Sequence, residues 1–109
     1  MLYQQGDVLI EKIDAIPSNV KEIEKNGNAK LVLAEGEATG HSHTIDTIEA
    51  PNTRLFAGID IPDMFLQTSA KTTIKHEEHH HIDIPAGNWK IRKVQEYDHF
   101  AEEARAVQD

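Results

Sequence analysis

Six of the seven histidines in this 109-residue chain fall in two short tracts, Gly40-His41-Ser42-His43 and His76-Glu77-Glu78-His79-His80-His81. Imidazole and carboxylate are the side chains that hold borderline divalent metals, so two such tracts brought together by folding would form a metal site. There is no cysteine. Any ion must therefore be held by nitrogen and oxygen donors, which leaves zinc, iron, nickel and manganese open, and no residue is singled out for an organic cofactor.

The first tract alternates as a strand does. A period of two sends His41, His43 and Ile45 to one side and Ser42 and Thr44 to the other, so if Ile45 faces the core, both histidines do too. Two imidazoles at that spacing on one face can reach one ion. The competing reading of a lone His-x-His is a pair of surface or hydrogen-bonded histidines. The second tract is harder to orient. Alternation back from Ile82 and Ile84 puts His80, Glu78 and His76 on one face and His79 on the other, so an unbroken strand cannot aim His76 and His79 together. A two-residue turn at Glu77-Glu78 or a bulge would do so. A helix is excluded by the β-forming Thr72-Thr73-Ile74 and Ile82-Asp83-Ile84-Pro85 on either side, and the spacing is not that of the zincin metalloproteases. His80 and His81 read equally well as a solvated strand edge that discourages aggregation.

The elements that must position these tracts are short and β-forming. Asp7–Ile13, Leu31–Ala34, His41–Ile45, Thr53–Ala57, Met64–Thr68, Thr72–Ile74, Ile82–Ile84 and Asn88–Val94 are apolar or β-branched runs separated by Gly, Pro, Asn and Asp. Residues 18–30 are polar, carry the turn signal Asn26-Gly27-Asn28, and read as a loop. The regular spacing and the lack of a long helical crossover predict an all-β fold, a small antiparallel β-barrel or sandwich. A short C-terminal helix is expected over 98–107, capped by Asp98, with Phe100, Ala104 and Val107 on one face and His99 inside it. A length of 109 residues suits one domain, 1–109.

Composition sets the remaining limits. Nineteen acidic against eleven basic residues give a net charge of −8, which disfavours a phosphate-tracking surface and so argues against nonspecific nucleic-acid binding. No apolar run approaches membrane-spanning length, and the N-terminus lacks the pattern of a secretory leader, so no membrane association and a cytoplasmic setting are expected.

The wording of Gly6-Asp7-Val8-Leu9, Ala34-Glu35-Gly36-Glu37-Ala38-Thr39-Gly40-His41-Ser42-His43, His76-Glu77-Glu78-His79, Ile84-Pro85-Ala86-Gly87-Asn88-Trp89 and Glu96-Tyr97-Asp98 resembles a family of short uncharacterised bacterial and phage-associated proteins. The likeness covers nearly the whole chain. It implies that His41, His43, His76, Glu77, Glu78 and His79 form one motif set, and it implies no particular activity. A looser likeness, of architecture only, is to cupins, through Gly36, His41, His43 and Glu49.

Together these features predict a divalent transition metal held by His41, His43 and His79, with His76 or Glu78 as a fourth ligand. An open coordination position would permit metal-dependent hydrolysis or chelation of a small ligand, with Glu37, Glu77 and Glu78 as candidates for a base; a full shell would make the ion structural. Whether the chain is an enzyme is left open. The alternative is a non-enzymatic interaction or assembly module, phage-related, that forms a homo-oligomer or docks to a protein partner through strand edges and the C-terminal helix.

Overall fold

The computed structural model describes residues 1–25, 27, 29–35 and 42–93. Among these residues all regular structure is antiparallel β. The strands are β1 (Leu2–Gln5), β2 (Val8–Ile13), β3 (Lys21–Ile23), β4 (Lys30–Glu35), β5 (Ser42–Asp46), β6 (Thr53–Ala57), β7 (Met64–Thr68), β8 (Thr72–Ile74), β9 (Ile82–Ile84) and β10 (Gly87–Lys93). The expected C-terminal helix at 98–107, with His99, lies outside the described residues, as do Glu37 and His41.

Six strands form one sheet in the order β1-β2-β10-β7-β6-β3, and two hairpins, β4-β5 and β8-β9, lie apart from it. The two hairpins are joined by one bridge, in which Thr44 N–H donates to Lys75 O at 2.9 Å and Lys75 N–H to Thr44 O at 2.8 Å. They thus make a second layer ordered β4-β5-β8-β9. The arrangement is sandwich-like and not a closed barrel, which decides between the two architectures that the strand spacing allowed.

Alternation on both layers supplies the core. Val8, Ile10, Leu55, Leu66, Trp89 and Ile91 from the large sheet meet Leu31, Leu33, Ile45, Ile74 and Ile84 from the hairpins in a single buried cluster. At about 1.5–3 kcal/mol for each large apolar side chain fully buried, this cluster is the main favourable term in the fold. Trp89 is fully buried, and its indole N–H donates to Pro85 O at 3.1 Å, so its polar atom is satisfied.

Two strands differ from the sequence reading. Leu2–Gln5 pairs with β2 through a two-residue turn at Gly6-Asp7, with Gln5 opposite Val8; Gly6 has φ +59°, as a primed hairpin turn requires. Lys21–Ile23, inside the stretch read as a loop, is a fully exposed edge strand on β6. Its ladder and the Arg54–Glu22 ion pair at 2.9 Å hold it there, not burial.

Candidate functional site

Register brings the two histidine tracts together. The antiparallel bridge Thr44↔Lys75 makes Ile45 and Ile74 one cross-strand pair and His43 and His76 the next one out. Ile45 and Ile74 are both fully buried, so the histidine pair continues a core column, as the period of two requires. His43 is completely buried and His76 is 7% exposed. One step further, Ser42 N–H donates to Glu77 Oε1 at 3.1 Å, which extends the same register on the opposite face. On its other side His43 pairs with Ala34, after a bulge between Val32 and Ala34 that keeps Leu31 and Leu33 buried.

His79 joins the pair by a route other than a two-residue turn at Glu77-Glu78. The β8–β9 ladder ends at Ile74↔Ile82, and residues 75–81 form a broad connection across which the chain folds back. The three rings form a compact triangle with His76 at its corner. The centroids of His43 and His76 are 4.4 Å apart and those of His76 and His79 are 4.5 Å apart, while His43 and His79 lie nearly parallel at 6.3 Å. The His79 ring packs on the Gly6 turn: a Cβ at Gly6 would stand 2.6 Å from His79 Nε2. Gly6 is therefore needed for its positive φ and for the close approach of this imidazole. His80 and His81 are exposed, as is Glu78.

Three residues of the first hairpin complete the site, and none was singled out for it from the sequence. Gln5, 2% exposed, donates through Nε2 to Ile74 O at 3.0 Å and to His80 O at 2.8 Å. Two carbonyls can only accept, so the amide orientation is fixed and Oε1 must be the atom 2.8 Å from His43 Nδ1. His43 Nδ1 is then the donor. The neutral ring consequently carries its lone pair on Nε2, which lies 3.3 Å from Asp7 Oδ1. Gly6 seats His79, and Asp7 also approaches Lys93 Nζ at 3.9 Å. The available signal was Gly6-Asp7 itself, a hairpin dipeptide that makes Leu2–Gln5 a strand and turns Gln5 inward.

His76 has the opposite tautomer. Its Nδ1 accepts the Glu78 backbone N–H at 3.0 Å, so the neutral ring holds its proton on Nε2. Burial pushes the His43 imidazole below its ordinary range; the neighbouring His76 and, more weakly, His79 push the same way, and the Asp7 carboxylate opposes them. Near neutral pH the neutral form of His43 is thus favoured, and two acceptors, Nε2 and Oδ1, face each other. Among the described residues no group of three His, Asp or Glu side chains has its donors already disposed to hold one ion.

A family model described as Domain of unknown function (DUF8820) matches residues 4–94. The chain belongs to that family. The matched span takes in Gln5, Gly6, Asp7 and both histidine tracts and ends before 98–107. No curated protein and no solved structure matches this DUF8820 chain. No helix among the described residues is long and apolar enough to cross a membrane.

Proposed function

We propose that this DUF8820 protein binds one divalent transition metal ion at the histidine cluster, with His43 and His79 among its ligands and His41, which lies outside the described residues, as the further one expected from the sequence. The observation that carries the reading is the convergence of His43, His76 and His79 from two distant tracts into one cluster of imidazoles, at a place where a buried ring nitrogen faces a carboxylate. Folding does not gather such groups for apolar burial, since each must be desolvated. A cation relieves that cost. Zinc, iron, nickel and manganese all suit imidazole with carboxylate. Glu77, whose carboxylate reaches Ser42 N–H, and the exposed Glu78 are the candidates for a base beside an open coordination position; a small oxygen-donor ligand is the alternative occupant of that position.

Elemental analysis and calorimetric titration of protein purified without an affinity tag test the reading. About one ion per chain is expected, with loss of binding in His43→Ala and no loss in His81→Ala. Absence of saturable zinc, nickel, iron or manganese uptake at neutral pH in the wild-type protein would overturn it.

A further inference from the structure

The imidazole cluster contains groups of unequal chemistry, and the hydrogen bonds around them say which can ligate. Gln5 spends its own two donors on Ile74 O and His80 O and so forces His43 Nδ1 to donate. His43 Nε2 is left as a lone pair, and Asp7 Oδ1, 3.3 Å away, is its neighbour. Two donors each about 2.1 Å from a tetrahedral ion stand about 3.4 Å apart, so these two atoms already have the separation of ligands on one metal. Asp7 is not sealed: 21% of its side chain is exposed, which gives an ion a way in. His76, by contrast, has its Nδ1 occupied by the Glu78 N–H and its proton on Nε2.

We infer that Asp7 Oδ1 and His43 Nε2 form the chelating pair of the site, that Gln5 is the positioning residue that fixes the His43 tautomer, and that His76 is a hydrogen-bonding and not a ligating imidazole. The inference rests on the metal-binding reading above and adds to it a carboxylate ligand from the first hairpin. It turns the site from a histidine cluster into a mixed site that spans both layers of the sandwich, because Asp7 belongs to the large sheet and His43 to the second layer.

The test is nitrogen-15 NMR of the histidine rings together with zinc titration of wild type, Asp7→Asn and Asp7→Ser. In metal-free wild type the proton is expected on Nδ1 of His43 and on Nε2 of His76. Added zinc is expected to shift His43 Nε2 and to leave the His76 tautomer as it was. Asp7→Asn and Asp7→Ser are expected to weaken zinc binding by about a hundredfold. Wild type that takes up no zinc defeats the metal-binding reading, and this inference with it. Wild type that binds zinc, loses it in His43→Ala and keeps full affinity in both Asp7 variants defeats the inference alone.

Discussion

Two trios of polar side chains sit toward opposite ends of β8 and β10, and they are built on different terms. Thr53, Thr68 and Thr72 are all buried. Their hydroxyls can run as one proton chain, Thr53 to Thr68 at 3.1 Å, Thr68 to Thr72 at 2.7 Å and Thr72 to Ala70 O at 2.9 Å. Every proton in that chain has an acceptor. At the other end His43 donates through Nδ1 to Gln5 Oε1 and His76 accepts from the Glu78 N–H, yet the first of these bonds leaves His43 Nε2 against Asp7 Oδ1 with no proton of the neutral ring between them. A hydroxyl is both donor and acceptor and can close a network on itself, whereas an imidazole whose one proton is committed to Gln5 has none left to give a carboxylate. Buried polarity alone does not distinguish the two ends; the pairing of a ring nitrogen with a carboxylate does.

The largest expected effect comes from removing the residue that imposes this pattern. Gln5→Leu nearly keeps the volume but strips Ile74 O, His80 O and His43 Nδ1 of their partner at once. No other donor or acceptor is placed by the structure to take over all three roles. At about 1–3 kcal/mol for each buried group left unsatisfied, and with some relaxation of the 75–81 connection, a loss of about 3 kcal/mol is expected in urea unfolding. Zinc affinity should fall with it, because the His43 ring loses the bond that orients it. A stability within about 0.5 kcal/mol of wild type would mean that Gln5 is a passenger, and the contrast between the two trios would fail.

That dependence also explains what the sequence could and could not reveal. β2 and β4 to β10 were legible because β-branched and aromatic residues alternate within them between turn residues, and the strand period alone put His43 on the core face with Ile45. β3 was not legible: Lys21-Glu22-Ile23 adds no residue to the buried core and pairs with the edge that β6 offers it. β1 was missed because Gln4 and Gln5 look like loop chemistry, although Gln5 occupies a core-facing position beside Val8. The meeting of His76 with His43 depends on a single bridge between hairpins about thirty residues apart, and the meeting of either with Asp7 depends on how two layers pack. Neither is a local property of the chain. The candidates Glu37 and His41 and the 98–107 helix fall outside the described residues.

A pH series sharpens the comparison at the histidine end. Because burial lowers the folded-state pKa of His43 below its ordinary value of about 6.5, the unfolded chain binds the proton more readily than the folded one between those two values. Stability contributed by this group is therefore present above about pH 6.5 and is lost as pH falls through the lowered pKa. Metal-free protein should lose stability on acidification in that window, and His43→Gln should flatten the dependence. Ligation requires the neutral ring, so the rise in melting temperature produced by zinc should be large near pH 7.5 and small near about pH 5.5. Equal zinc effects at the two pH values would mean that carboxylates alone hold the ion.

The smallest effect is expected where the network can repair itself. In Thr72→Val the hydroxyl at the end of the threonine chain is lost, but Thr68 Oγ1 already lies 2.9 Å from Ala70 O and can donate there directly. Thr53 keeps Thr68 as its acceptor, so no buried proton is stranded. The expected cost is below about 1 kcal/mol, well under the price of an unsatisfied buried donor, and zinc binding should be unchanged because the substitution lies at the far end of β8 from His76. Urea unfolding and a zinc titration of the same protein check both statements. A loss of about 3 kcal/mol, equal to that of Gln5→Leu, would show that hydroxyl networks in this core are as intolerant as the His43–Gln5 pair, and that the difference between the two ends lies in their packing and not in how their protons are shared.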